Sequence, residues 1–137
     1  MADTVTVTKI FNGARRKVYH LTNLSDGSGE SAVVKVDIST ETFGGQAAPA
    51  AFTPTYTTID MLDYFVGGFA SVRLHWAHTT PDLIAVLPSG SGTLYFNATG
   101  GITDPKSAGS TGDITVTTNG GASGSTYDIV AYVRGHP

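Results

Sequence analysis

The hydrophobic pattern of residues 69–87 predicts the centre of the fold. Val72, Leu74 and Trp76 alternate with polar residues, which is typical of a strand with one buried and one wet face. Residues 83–87 are continuously apolar, as in a strand that is covered on both faces. The polar residues 78–82 between them include a proline, which ends strand pairing. We therefore predict a central hairpin of an all-β fold here.

The opening third of the chain predicts a three-strand meander. Residues 4–11 and 15–23 read as two strands, joined by Asn12-Gly13, which favours a hairpin turn because both of its residues must adopt positive φ. A second turn at residues 26–29 leads into a third strand at residues 32–38. In this third strand one face carries the apolar side chains and the other the charged ones, namely Val34, Val36 and Ile38 against Lys35 and Asp37.

Residues 56–66 fit two interpretations. Ile59, Leu62 and Val66 match one face of a helix, whereas Tyr56 and the threonines after it favour a strand. Gly67-Gly68, which we interpret as a turn into the central hairpin, favours the strand. The rest of the pattern predicts a turn at 88–92, a short strand at 93–96, and a last pair of strands at 114–118 and 127–134.

Together these segments predict an all-β fold, a jelly-roll-like β-sandwich of eight or nine antiparallel strands. Residues 1–137 would form one domain, with long loops at about 39–55 and 100–112. The 39–55 loop is interpreted either as an arm that lies on a neighbouring subunit or as an ordinary crossover between two sheets. Seventeen glycines and a charged fraction of only 14% agree with short strands and tight turns.

Composition excludes several functional classes. The chain has no cysteine, so it can form neither a disulfide framework nor a thiolate metal site. A net charge of −3 argues against a general nucleic-acid binder. The N-terminal residues do not resemble a signal peptide, and no apolar run approaches the about 20 residues that cross a bilayer. We expect neither a nucleic-acid nor a membrane partner.

Candidate catalytic and metal-binding residues do not form a convincing set. His75 and His78 are three residues apart, so on one strand they would point to opposite faces, and they converge only if His78 lies in the turn near Asp82. Residues 88–90 match the PxG turn of cupin-type metal sites, but the HxH pair and the glutamate of that pattern are missing. We predict no catalytic residue, no metal and no cofactor, and we place His75 on the wet face beside Arg73.

Two carboxylate pairs and one basic cluster were weighed in the same way. Asp60 and Asp63 suggest an acid/base pair, but surface carboxylates are the default interpretation. The segment from Asp26 to Glu30 begins like a calcium loop and then departs from the pattern, which favours a hairpin turn. The basic residues 15–17 would form a small positive patch for an acidic protein surface or a glycan, or simply a solvated strand edge.

Three long segments carry a family resemblance, at residues 12–39, 69–96 and 109–134. The strings SDGSGES, W-x-H and TGDI-x-x-TTNG within them are the most distinctive. The chain resembles small virion proteins of tailed phages, the capsid decoration or cement proteins with a jelly-roll fold. This resemblance implies a protein that sits on the outer surface of an icosahedral capsid, bridges major capsid subunits, and forms dimers or trimers.

No binding position is established by this resemblance, so we select contact candidates from the loops and basic residues. They are Arg15, Arg16, Lys17, Phe43, Phe52 and Arg134. Two alternatives remain open: another phage structural part, such as a tail or head-completion protein, or a glycan-binding jelly roll. The glycan alternative would use Trp76, Tyr95 or Tyr132 as a stacking platform, but the apolar phase of Trp76 indicates a core residue.

Overall fold

A computed structural model describes residues 4–12, 16–38, 41, 53–54, 56–96, 100–106 and 111–136. These residues form eight β-strands: β1 (Thr4–Asn12), β2 (Arg16–Asp26), β3 (Val33–Val36), β4 (Tyr56–Trp76), β5 (Asp82–Tyr95), β6 (Ile102–Thr103), β7 (Ile114–Asn119) and β8 (Ser123–His136). The predicted all-β fold of eight or nine strands is confirmed. Within the described ranges no helix is long and apolar enough to cross a membrane.

The strands form one highly curved antiparallel sheet. Its order is β1-β2-β8-β4-β7-β3, and β5 and β6 also pair with β4. The predicted hairpin of β1 and β2 is confirmed, since Asn12 pairs with Lys17 and Thr4 with Leu24. The hairpin of β4 and β5 is confirmed as well, since Trp76 pairs with Asp82. The residues of the Asn12-Gly13 turn beyond Asn12 lie outside the described ranges.

Strand β4 organises the sheet, because it takes part in both halves of the sandwich. Along one edge it pairs with β5 from residue 61 to residue 76. Along its other edge residues 56–67 pair with β8 and residues 71–76 pair with β7. The chain bends between these halves at Gly68, whose φ of +89° suits glycine. The predicted turn at Gly67-Gly68 is therefore wrong, because the two glycines bend a continuous strand.

The bend is made by a large bulge. Val66 pairs with Gly90 and Ser71 with Pro88, so residues 67–70 stand opposite Ser89 alone. Extra residues on one strand increase its local bend and twist. The predicted turn at 88–92 is wrong for the same reason, since these residues continue β5 through the bend. Glycine, serine and proline here serve a bulge, whereas their composition had indicated a reversal of the chain.

The apolar side chains on the inner face of the strands fill the space between the two halves of the sheet. Val72, Leu74 and Trp76 are buried, as the alternation predicts. They pack with side chains from the other half, including Leu21, Leu62, Tyr127, Ile129 and Val133. Residues 83–87 differ from the prediction, because Leu83 and Val86 are exposed and only one face is covered. A continuous apolar run thus did not mean burial on both faces.

The predicted meander is wrong at its third strand. β3 pairs with β7 at the far end of the sheet, and β8 takes the place beside β2. The predicted faces of β3 are also wrong at two positions: a register shift between Val34 and Val36 leaves Val34 exposed and Lys35 buried. The predicted last pair is separated too, since β4 pairs with both β7 and β8. Within the predicted 100–112 loop, β6 adds a short pairing to β4.

A buried ion pair explains how Lys35 is accommodated. Its ammonium group contacts the Glu30 carboxylate, and both side chains are almost completely buried. Glu30 Oε1 also accepts hydrogen bonds from Asn23 Nδ2 at 2.8 Å and from the Tyr127 hydroxyl at 2.6 Å. Buried charges persist where they are paired and hydrogen-bonded. The cluster therefore ties β2, β3 and β8 together inside the fold.

Candidate functional site

A shallow groove lies on the outer face of β4, β5 and β8. Its volume is about 350 Å³, and its lining consists of Asp63, Tyr64, Phe65, Ser91, Gly92, Thr93, Asp128 and Val130. The strand register explains the lining, because Phe65 stands directly between Ser91 on β5 and Asp128 on β8. Asp63 lies two residues along β4, so it shares the face of Phe65. Directly opposed side chains in a sheet have Cβ atoms about 4.5–5.5 Å apart.

Two carboxylates flank the groove, and each is held by a neighbour. Asp63 accepts a hydrogen bond from the Thr93 hydroxyl on β5. Asp128 Oδ1 lies 2.6 Å from Nε2 of His20 on β2. These contacts fix the position of each carboxylate, while the Asp128 side chain remains about half exposed. The groove thus presents negative charge on a rigid sheet.

Aromatic rings supply the apolar part of the same face. Phe65 is 52% exposed, and Tyr95, which is 69% exposed, lies on the same face of β5 as Ser91 and Thr93. An exposed phenylalanine in the centre of a sheet is unusual, because aromatic rings gain most from burial. Gly92 pairs with Tyr64, and a Cβ atom there would lie 3.0 Å from the Tyr64 hydroxyl, on the face of the sheet opposite Phe65.

A second exposed surface lies on β1, at one end of the strand order. Val5 and Val7 pair with Asn23 and Leu21, so they share the face that is buried on β2. That face is not covered on β1, where Val5 and Val7 are 41% and 43% exposed, and Ile10, at the register shift in the same strand, is 56% exposed. Among the residues that the structure describes, β1 pairs with a strand on one side only. We call these three residues and the outer edge of β1 the edge surface.

Most of the predicted contact residues that the structure describes have partners inside the protein. The Arg134 Nε atom donates to both oxygens of Asp60, at 3.0 and 2.8 Å, and Arg16 lies 3.3 Å from the same carboxylate. Lys17 is only 3% exposed, and β2 is an interior strand, so the interpretation of a solvated strand edge is wrong. Arg15, Phe43 and Phe52 lie outside the described residues, as does most of the 39–55 loop.

Lys17 belongs to a second polar cluster, near the start of β2. Burial lowers the pKa of Lys17, and nearby Lys9 adds to this effect, while Glu41 opposes it. Burial also raises the pKa of Tyr19, and the Glu41 carboxylate raises it further. Lys9 pairs with Glu41 at 2.9 Å. These groups hold the Glu41 side chain against β1 and β2.

The histidines occupy different environments. His75 is half-buried on the polar face, as predicted, and its pKa is lowered by burial and by the neighbouring Arg73. His78 is buried in the connector, where Nδ1 contacts Asp82 and Nε2 lies 2.7 Å from Asp104 Oδ1. Asp104 was missed from the sequence, because its proximity depends on where the 100–106 segment folds back. No three metal-ligating side chains are grouped for a metal ion in the described ranges.

The remaining carboxylate candidates have structural contacts. Asp60 is buried in its pair with Arg134, so the default of a surface carboxylate is wrong there, and Asp63 lies in the groove. Asp26 Oδ1 accepts from the backbone N–H of Ser28 at 3.0 Å, as in a tight turn. Glu30 points into the interior cluster with Lys35. Trp76 is buried and offers no ring to a glycan, whereas Tyr95 is exposed.

Comparison with known proteins adds little to this picture. No protein-family model matches the chain, and no curated protein matches its sequence. Among solved structures, the chain is similar to a crystal structure of FeII HppE, with 12% sequence identity and a TM-score of 0.31. The match covers 86% of this chain and 42% of that one, so the chain spans less than half the length of HppE. A similarity of this size carries no inference about chemistry or function.

Proposed function

We propose that this protein is a virion structural protein of a tailed phage. In this proposal it is a cement or decoration protein that binds the outside of the icosahedral head and bridges major capsid subunits. The sequence strings given above support the phage assignment. The edge surface supports a role in binding other proteins, and it is the observation that carries the proposal.

The edge surface has the chemistry of a protein contact. An exposed, apolar edge strand can accept a strand from another chain, and proteins usually protect such edges with charges, proline or a bulge. β1 has a register shift between Lys9 and Phe11, but Val5 and Val7 precede it on a regular stretch. Burying these side chains against a partner would gain about 25 cal/mol for each Å² of apolar surface removed from water.

Attachment to a lattice does not require a tight single contact. Many copies, each joined to more than one capsid subunit, would gain affinity by avidity. A homo-oligomer, dimer or trimer, would add to this effect, and closed symmetry is the common form of such assemblies. The proposal therefore needs only a modest contact at each edge surface.

The test is cosedimentation of the purified protein with expanded capsid shells that lack it. Saturable binding at a fixed ratio to the major capsid protein is the expected result, and that ratio would indicate the symmetry position. Shells that pellet without the protein at saturating concentration would overturn the proposal. Tail assemblies, tested in parallel, would then show whether the protein belongs elsewhere in the virion.

A pair of variants tests the role of β1. Val7→Lys places a charge on the edge surface and is expected to weaken shell binding roughly tenfold, because an unpaired charge would be buried in the contact. Leu83→Lys makes the same change at another exposed aliphatic residue, on β5, and should leave binding unchanged. If Leu83→Lys weakens binding and Val7→Lys does not, the contact lies on the β5 face and β1 is excluded.

A further inference from the structure

We infer that the groove on β4, β5 and β8 binds an arginine side chain presented by a partner protein. The inference does not depend on the partner being a capsid protein, because it rests on the lining residues alone. Three features carry it: the ring of Phe65, the two flanking carboxylates, and the open shape of the groove.

The ring and the carboxylates together specify a cation. Asp128 stands directly across from Phe65, and Asp63 lies two residues along the same strand. A cation within about 6 Å of the ring centre, the range of cation–π attraction, would therefore have Asp128 as a neighbour across the strands and Asp63 as a neighbour along β4. Asp63 and Asp128 contribute two carboxylates, whereas one histidine, His20, pairs with one of them, Asp128. The groove is thus complementary to positive charge.

The polar groups that line the groove favour a ligand that donates hydrogen bonds. None of the eight described lining residues is Asn, Gln, Lys or Arg, and the Thr93 hydroxyl already donates to Asp63, which leaves the Ser91 and Tyr64 hydroxyls as side-chain donors against two carboxylates as acceptors. Carboxylates accept hydrogen bonds and donate none when ionised. A ligand that offers several donors and needs no donor in return is therefore favoured over a sugar, whose hydroxyls both donate and accept.

The shape of the groove favours arginine over lysine. The site is shallow and its aromatic ring is about half exposed, so a planar group can lie flat on it. A guanidinium stacks on aromatic faces and binds carboxylates with two parallel hydrogen bonds, which the compact lysine ammonium cannot do. The strand register holds all of these groups on one rigid sheet, so little ordering is needed when the ligand binds.

The test is an NMR titration of the isotope-labelled protein with N-acetyl-arginine amide. Shifts should saturate with a dissociation constant on the order of millimolar, as a single side-chain contact provides. They should be confined to β4, β5 and β8 around the groove. N-acetyl-citrulline amide, a neutral isostere of the arginine probe, is the matched control and should cause no saturable shift.

Three variants locate the site. Phe65→Ala, Asp63→Asn and Asp128→Asn should each weaken arginine binding roughly two- to fivefold, as expected for exposed cation–π and ion-pair contacts. Asp26→Asn, which removes a carboxylate at the end of β2, should not change it. A well-dispersed spectrum of each variant before titration shows that it is folded.

Several outcomes would overturn the inference. Equal shifts with the citrulline probe would mean that charge is not recognised. Groove shifts with methyl glycosides but none with arginine would assign the site to a glycan. Arginine shifts that persist unchanged in Phe65→Ala and Asp128→Asn, or that fall outside the groove, would place binding elsewhere. None of these results affects the shell-binding experiment, so the two proposals fail separately.

Discussion

Replacing Lys35 by methionine should destabilise the fold strongly. The Lys35 and Glu30 side chains are 2% and 4% exposed, so the variant leaves a buried carboxylate without its counter-charge. Removing one partner of a buried pair costs about 3–5 kcal/mol. Glu30 keeps its hydrogen bonds from Asn23 and Tyr127, so we expect the lower end, about 3 kcal/mol. In urea this loss would lower the unfolding midpoint by about 1–2 M.

A double-mutant cycle separates the charge from the packing. Glu30→Gln alone leaves the Lys35 ammonium buried without a partner, whereas Glu30→Gln with Lys35→Met removes both charges. The double variant should therefore be more stable than the sum of the single effects by about 1–3 kcal/mol. Equilibrium unfolding in urea, followed by tryptophan fluorescence from Trp76, measures all four proteins.

The control for this cycle is Lys106→Met, which removes a lysine from an exposed site. Its ammonium lies 5.1 Å from the centre of the Tyr56 ring, so the change should cost no more than about 1 kcal/mol. A loss below about 1 kcal/mol for Lys35→Met, or strictly additive single effects, would refute the reasoning. Either result would mean that water or rearrangement compensates the Glu30 charge.

Two further predictions concern the bend in β4 and the carboxyl group of Asp113. Gly68→Ala and Gly124→Ala place alanine at nearly the same φ, +89° and +91°, and each should lose about 1–3 kcal/mol to backbone strain. Of these two variants, only Gly68→Ala brings a Cβ atom within 2.5 Å of the Ser125 hydroxyl, so its urea midpoint should fall further than that of Gly124→Ala. Equal losses of stability in the two variants would contradict the described bend. Burial raises the pKa of Asp113, although a hydrogen bond from the Ile38 N–H, 3.1 Å away, acts in the opposite direction. A raised pKa in the folded protein means that the protonated carboxyl group stabilises the fold in acid, and that this stability is lost as the pH rises past about 4. Asp113→Asn should therefore be more favourable to thermal stability at pH 7 than at pH 3, and an equal effect at both would contradict this assignment.

The sequence predicted strands well because alternation is a local property. The alternation correctly predicted that Val72, Leu74 and Trp76 are buried, and Asn12-Gly13 indicated the first hairpin. Pairing between distant strands was not predictable in the same way: β3 pairs with β7, more than 75 residues later, and no local pattern encodes that choice. The burial of Lys35 depends on a register shift, which inverts the alternation without leaving a distinctive composition.

The groove was missed for a related reason. Its lining comes from three strands, and only their register brings Asp128 beside Phe65. One signal was present in the sequence, since Phe65 shares the phase of Asp63 and lies out of phase with Leu62 and Val66. A large aromatic residue on the polar phase of a strand could have indicated a surface site. Arg134 and Asp60, by contrast, lie 74 residues apart, and their pairing could not be inferred.

The position of β8 has a consequence for how the protein is made. β8 lies between β2 and β4, although it follows both in the chain. Sixty residues separate Trp76 from His136, which a ribosome adds in about 3–12 s. During that time β2 and the first half of β4 have no β8 to join them, and their pairing edges remain open to other nascent chains. Folding can therefore be completed only when β8 emerges from the ribosome. We expect the yield of folded protein in a cell to depend on how well the open strands of neighbouring nascent chains are kept from pairing with one another before then.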